Sequence, residues 1–406
     1  MPAPPRTDSG VQPVAGAAVR NGAEKRMPDH LRHDDGEDVL ALYVHWPFCV
    51  SKCPYCDFNS HVRAGVDQDR WREALLADLA HEARVGPKKP LTSIFFGGGT
   101  PSLMPPATIA ALIAAAERHW GFATDIEITL EANPSSVEAA RFADLAAAGV
   151  NRVSLGLQAL DDEALRFLGR AHGLAEGLAA LDIAQTVFAR VSFDLIYARP
   201  DQSEATWQAE LTRALGFGTG HLSLYQLTIE PGTRFATLAA RGALPTIGSE
   251  EAARLFEQTG ALTAAAGLPA YEISNHAKRG EESRHNLAYW RYRDYLGVGP
   301  GAHGRRDGIA TVRAKKPENW LAHLALHGHG IADEETLPPR TQATEALLMG
   351  LRLQEGVDLE RVSLGLDTRA VERLEKLGML ERVNGFLRLR PPGRLLLDAI
   401  LAEIAA

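Results

Sequence analysis

Between residues 41 and 228, short apolar runs rich in β-branched and aromatic residues alternate with Ala/Leu-rich stretches of helical period. The strand-like runs are ALYVHW (41–46), TSIFFGG (92–98), IEITLEA (126–132), RVSLGLQ (152–158), RVSFDLIY (190–197) and HLSLYQLT (221–228). Stretches such as DRWREALLADLAHEARV, PATIAALIAAAERHW and VEAARFADLAAAG lie between them, with apolar residues at i, i+3, i+4 and i+7. A chain patterned this way folds as repeated βα units on a parallel sheet, so the expected class is α/β, with six strands and five helices in a barrel or an open sheet. In either architecture ligands gather at the carboxyl ends of the strands. Those ends carry Cys49 to Cys56, the glycine loop GGGTP (97–101), EANP (131–134), Gln158, DLIY (194–197) and QLTIEPGT (226–233).

The rest of the 406 residues bounds the reading. Residues 1–38 mix Pro, Gly, Ala and both charge signs without an apolar period, which reads as a disordered arm. Asp8, Glu24, Asp29, Asp34, Asp35, Glu37 and Asp38 argue against a transit peptide there. The barrel is expected over 39–235. A segment of looser rhythm with polar, aromatic and glycine-rich stretches follows over 236–335, and an α+β module over 336–406. In the last, three helical stretches lead into a hairpin at Asn384-Gly385, a winged-helix-like pattern. Its helix TRAVERLEKL mixes basic with acidic residues and lacks the one-sided basic face of a DNA reader, and a net charge of −8 agrees with no nucleic-acid partner. No apolar run is long enough to span a bilayer, so a cytoplasmic protein is the expectation.

All three cysteines, Cys49, Cys53 and Cys56, fall within eight residues as C-x3-C-x2-C. An odd number of clustered thiols is no secreted disulfide framework and suits a reducing compartment. Zinc would want a fourth ligand from flanking His45 or His61. Buried structural cysteines fit poorly in a segment as polar as KCPYCD. A 4Fe-4S cube accounts better for the number, because three thiolates hold three irons and leave the fourth to a small chelating molecule.

With Tyr55 before the last cysteine, this motif resembles that of the radical S-adenosylmethionine (SAM) superfamily. YVHWPFCVSKCPYCDFNS, FFGGGTPSLM, LEANP, RVSLGLQAL, FDLIYARP and LSLYQLTIEPGT resemble, in order, the HemW-type haem chaperones and the closely related oxygen-independent coproporphyrinogen III dehydrogenases. The resemblance runs from about residue 41 to the C-terminus. It implies a partial (β/α)6 TIM-like radical SAM barrel with a C-terminal winged-helix-like domain. It implies cluster ligation by Cys49, Cys53 and Cys56, and SAM contacts from Tyr43, Gly98, Gly99, Thr100 and Glu131. Gln158, Arg170 and Asp194 match positions for a second SAM, and Thr228 is a weaker match.

Two features separate the relatives. Phe58 stands where the dehydrogenase has a fourth cysteine, and HNLAYW (285–290) matches the H-N-x-x-Y-W motif associated with haem in the chaperones. His285 is thereby the expected haem contact, a neutral imidazole among aromatic neighbours. His276 and His303 are further histidines with no motif to distinguish them. The implied function is a carrier that binds a 4Fe-4S cluster, SAM and haem and passes haem to acceptors. Those acceptors would be haemoproteins, respiratory ones among them, reached in part by peripheral contact with a membrane. The alternative is radical oxidative decarboxylation in porphyrin biosynthesis. No residue is assigned as catalytic, and enzyme activity is left open. The family's usual glycine after the tyrosine of LIYARP is Ala198 here.

Overall fold

A computed structural model describes residues 39–63 and 65–406. The arm expected over 1–38 lies outside them. The repeating part begins with six strands, β1 (Leu40–Trp46), β2 (Leu91–Gly98), β3 (Phe122–Ala132), β4 (Arg152–Gln158), β5 (Arg190–Tyr197) and β6 (His221–Gln226). They pair in sequence order, each parallel to the next. The expected (β/α)6 succession is therefore present, and β4 and β5 have the bounds read from the sequence.

Within each strand, alternate residues serve opposite faces. Leu42, Val44, Phe96, Leu130, Val153, Leu155, Phe193 and Leu224 join one apolar core under the covering helices. The crossing helices start and stop where side chains and glycines dictate. Asp67 caps Gln68–Val85 by accepting from Arg70 N, and the helix ends at Gly86. One crossing differs from expectation. The single helix anticipated over 137–149 is two short helices, Ser136–Ala139 and Phe142–Ala147. Polar tethers pin the break: Glu138 accepts from Asn133 N (2.8 Å), and Arg141 donates to the carbonyls of Ser102 (2.9 Å) and Met104 (2.6 Å).

The segment after 235 is more regular than its rhythm suggests. It adds β7 (Asn275–Ala277), β8 (Asp294–Val298), β9 (His303–Arg306), β10 (Ile309–Arg313) and β11 (Ile331–Thr336). All five extend the same sheet, whose order is β11-β10-β9-β8-β1-β2-β3-β4-β5-β6-β7. The repeat is thus an open, partial barrel, continued by β8 parallel to β1 and by β7 antiparallel to β6. Next come the helix Pro339–Gly350, β12 (Val357–Asp358), the helices Leu359–Val362 and Thr368–Lys376, and then β13 (Leu380–Val383) and β14 (Phe386–Leu389), the three strands forming a small sheet. The hairpin turn is where Asn-Gly placed it, with φ of 53° at Asn384 and 85° at Gly385. A separate apolar core, including Leu347, Val371, Leu387 and Leu401, holds this module.

Candidate functional site

Most inward positions of the strands are small or polar, unlike the bulky branched side chains that usually fill a barrel. Ser93, Thr129, Ser154, Ser192 and Ser223 occupy them, and Arg152 on β4 donates to Ser192 Oγ on the neighbouring β5 (3.1 Å), which donates to Ser154 Oγ (2.9 Å). Tyr225 is 42% exposed, yet burial pushes its hydroxyl well up. A side chain that is both deep and wetted lines a chamber.

At the carboxyl ends of the strands, the cysteine loop is tied down by a short parallel pairing of Phe48–Cys49 with His61–Val62. Cys49, Cys53 and Cys56 are free and half-buried, and burial pushes the thiols of Cys49 and Cys56 up. Donors meet two of the sulfurs. Thr100 Oγ1 donates to Cys49 Sγ and Arg170 Nη1 to Cys53 Sγ, each at 3.4 Å. Asn133 joins these two donors, giving Nδ2–H to Thr100 Oγ1 (3.2 Å) and accepting Arg170 Nη2–H on Oδ1 (2.6 Å). A continuous polar chain therefore runs Cys49–Thr100–Asn133–Arg170–Cys53. At Cys49 the Thr100 hydroxyl opposes the effect of burial, and the guanidinium at Cys53 supplies positive charge beside the sulfur that would ligate metal. Among the described residues, no group of three or more His, Cys, Asp or Glu closes on a single ion. The donor set fits an iron-sulfur cube, with a charged partner supplied by Arg170.

Arg170 therefore sits at the cluster loop; sequence reading placed it with a second SAM. It follows the helix Asp162–Phe167, which the sequence reading did not include. Its guanidinium and the amide of Gln158 converge over Gly156, where an added Cβ would meet Gln158 Nε2 at 2.9 Å and Arg170 Nη2 at 3.2 Å. Gln158 holds φ of 69°, and a left-handed conformation at a non-glycine strand end is local strain of the kind stored at ligand sites.

The glycine loop has a packing reason before any ligand is considered. A Cβ on Gly98, whose φ is 110°, would come within 2.5 Å of the His45 ring, and one on Gly99 within 2.7 Å of the Phe48 carbonyl oxygen. Gly98 N–H donates to Glu131 Oε2 (3.2 Å). Burial, then the nearby Asp194 carboxylate, pushes Glu131 up to about 8. Burial likewise raises Asp194 to about 6, opposed by hydroxyls of Ser223 and Ser154. Two sunken carboxylates that resist ionisation in an open chamber suit a cationic ligand. Tyr43 faces the same chamber, its hydroxyl on His45 Nδ1 (2.9 Å).

His285 is placed unexpectedly. Its helix, Arg284–Trp290, plugs the lower end of the lumen, where Glu127 accepts from Ser283 Oγ, Arg284 N and His285 N (3.3, 3.2 and 3.3 Å) and pairs with Arg190 (2.7 Å). The imidazole points into the chamber, stacked on Phe95 (4.9 Å between centroids), with Nδ1 3.2 Å from Ser93 Oγ. Burial lowers it to about 4, so it is neutral.

Sequence reading missed Asn133 as a connector, Tyr225, and the supporting His45. The EANP motif was the available signal for Asn133; the others had only their inward strand positions. Ala198 carries its own consequence. It adopts φ of 60° directly after β5, held there by the Arg199–Glu210 pair (2.5 Å) and by Leu227 N on the Tyr197 carbonyl (2.8 Å). Left-handed alanine costs about 1 kcal/mol relative to glycine. Ala198→Gly is expected to raise unfolding stability by about 0.5–1 kcal/mol in urea titration, with an unchanged m-value.

Comparison with known proteins places these features. The profile of the radical SAM superfamily matches residues 43–213, and that of the HemN C-terminal domain matches 337–396. The bovine protein named radical S-adenosyl methionine domain-containing protein 1, mitochondrial, is 38% identical over 388 residues, covering 91% of this chain and 88% of the relative. The haem chaperone HemW of Escherichia coli is 42% identical over 291 residues (70% of this chain, 75% of the relative), and that of Mycobacterium tuberculosis 37% over 370 (90% and 94%). Among solved structures, coproporphyrinogen III oxidase HemN from Escherichia coli superposes with a TM-score of 0.75 at 22% identity, covering 92% of this chain and 91% of its own. That likeness is one of fold.

Proposed function

We propose, from the premise that this chain belongs to the radical SAM superfamily and within it to the family of the haem chaperone HemW, that it is a haem carrier holding a 4Fe-4S cluster and SAM. The observation that carries the cluster half is the polar chain joining Cys49 to Cys53 through Thr100, Asn133 and Arg170. The haem half rests on similarity to proteins named haem chaperones over most of the chain.

In this reading Cys49, Cys53 and Cys56 hold three irons, and the bound cluster supplies an open iron for the amine and carboxylate of SAM. Glu131, once ionised, takes the ammonium or ribose, Gly98 and Gly99 present backbone, and Tyr43 walls the chamber. Gln158, Arg170 and Asp194 line the side a second SAM would occupy. Arg170 also neutralises thiolate charge. By resemblance alone, the HNLAYW motif would make His285 the haem contact. The acceptors are haem-accepting proteins, with respiratory haemoproteins as the named candidates, and the compartment is the cytoplasm. No described helix is long and apolar enough to cross a membrane.

The dehydrogenase reading is favoured by one observation, the convergence of Gln158 and Arg170 over Gly156. Against it, Phe58 offers no thiol, and the residue is exposed. The test is anaerobic reconstitution. Cys49→Ser, Cys53→Ser and Cys56→Ser are each expected to abolish the roughly four bound irons and the cluster absorbance. Wild type is expected to bind haem stoichiometrically and to leave coproporphyrinogen III unchanged with SAM and reductant. Turnover to protoporphyrinogen would overturn the carrier reading.

A further inference from the structure

A cavity of about 430 Å³ opens away from the cluster, between the helix Ser249–Ala265 and the C-terminal module. That volume lies in the range of pockets that bury small organic ligands, roughly 300–1,000 Å³. Phe256, Ile273, Leu351 and Leu395 give it apolar walls, and His276, Arg352 and Arg394 line it.

The state of His276 follows from its neighbours. Thr263 Oγ1 donates to the Thr259 carbonyl at 2.9 Å, so its oxygen is left to accept from His276 Nδ1, also at 2.9 Å. The ring proton is therefore on Nδ1, and Nε2 keeps a bare lone pair. A hydrogen bond fixing the far nitrogen is the arrangement that orients a metal-ligating imidazole. Burial, with Arg394 nearby, lowers His276 to about 4, which keeps it neutral.

Arg394 is half-buried in this lining, and among the described residues no carboxylate pairs with its guanidinium. A partly desolvated guanidinium with its donors unspent suits an anion. Arg352 reaches Asp398 only at 3.6 Å, across the solvent-exposed face of that carboxylate. Its guanidinium also lies 5.7 Å from the ring of Trp290, the last residue of the HNLAYW motif. The two cavity glutamates do not compete for the ligand: Glu272 is spent on Ser274 N (3.1 Å) and Asn275 Nδ2 (2.5 Å), and Glu257 is exposed.

We propose that this cavity is a haem seat, with His276 Nε2 as an axial ligand of the iron, the apolar walls covering the macrocycle, and Arg394 and Arg352 holding the propionates. It rests on the haem-carrier reading and relocates the haem from the barrel lumen, where His285 points, to the far end of the same motif. Iron, flat ring and paired carboxylates each find the matching chemistry in one cavity. Leu395, 42% exposed at its edge, leaves one side of the ligand reachable by an acceptor.

The experiment titrates full-length, cluster-reconstituted protein with ferric haem and follows the Soret band, both in the ferric form and in the ferrous carbonyl adduct, whose band reports an imidazole opposite the carbon monoxide. His276→Ala is expected to lose the imidazole-bound carbonyl band and to bind at least 10-fold more weakly, and imidazole is expected to restore that band in His276→Gly. Arg394→Gln, nearer the surface, is expected to keep the spectrum and bind haem about 10-fold more weakly, while binding haem dimethyl ester like wild type. His285→Ala is expected to retain haem. SAM binding by each variant reports an intact barrel. Haem binding that survives both His276→Ala and Arg394→Gln but is lost in His285→Ala overturns this site alone. Failure of wild type to bind haem overturns the carrier reading itself.

Discussion

Glu131→Gln is expected to weaken SAM binding on the order of 100-fold and, in the same variant, to stabilise the ligand-free protein at alkaline pH. Both effects come from one carboxyl group. In the empty chamber burial and Asp194 raise Glu131 from 4.5 to about 8, so it is mostly protonated near neutrality. Binding a cation requires the ionised form, so wild-type affinity should rise about tenfold per pH unit up to about 8, where Glu131 ionises unaided. Titration of the ligand's own amine is common to both proteins. The ratio of wild-type to Glu131→Gln affinity isolates the side chain, and a ratio flat from pH 6 to 8 would sink the assignment. The stability effect has the opposite sense. A folded-state pKa above the unfolded one means the folded state binds more protons between 4.5 and about 8, so wild type loses stability as pH rises through that window. Glutamine cannot ionise and escapes the loss, which urea titrations at pH 5 and 8 would measure.

Asp78→Ala is expected to destabilise the protein by about 3–5 kcal/mol, the usual result of removing one partner from a buried, hydrogen-bonded ion pair. Asp78 lies on Gln68–Val85 and accepts from Arg313 Nε (2.7 Å), Gly299 N (3.0 Å), Gly330 N (2.9 Å) and Trp320 Nε1 (3.3 Å). One turn on, Glu82 takes Arg313 Nη2 (2.8 Å) and Arg306 Nε (3.1 Å). Neither the Asp78 nor the Arg313 side chain has measurable exposure. Burial alone would raise Asp78, but Arg313 outweighs it and holds the carboxyl below its ordinary value. Its contribution is therefore present at neutral pH and lost in acid as the pH falls through that depressed value. The alanine variant leaves a buried guanidinium without its nearest anion. Combining Asp78→Leu with Arg313→Met should recover only part of the loss, because it removes the unpaired guanidinium but leaves Gly299 N, Gly330 N, Trp320 Nε1 and Glu82 without their Asp78 or Arg313 partner. Loss of cluster retention should accompany the single change, since Gly299 packs against the His45 carbonyl at the end of β1.

The parts legible in the sequence share a property. Strands β4 and β5, the Asn384-Gly385 turn and the C-x3-C-x2-C loop are each specified by residues within a few positions of one another. The helix over 137–149 was misread because an apolar period survives a break made by Arg141 reaching back to Ser102 and Met104. Strands β7 to β11 were hidden for another reason. They are three to six residues long, and β11 at the sheet edge reads IADEET, mostly exposed and charged. Edge strands facing water carry no apolar alternation, so only pairing identifies them.

What the sequence by itself determined is the local chemistry: three thiols in one loop, glycines at a strand end, carboxylates on inward positions. Register decided which of these meet. Arg170 reaches a thiol 117 positions away, His285 turns into the lumen onto Ser93, and His276 on β7 has its tautomer set by Thr263 of the helix Ser249–Ala265. Periodicity tells which face a side chain takes but not which neighbour lies across it. Those pairings, and the electrostatics that follow from them, exist only once the strands are aligned and water is excluded.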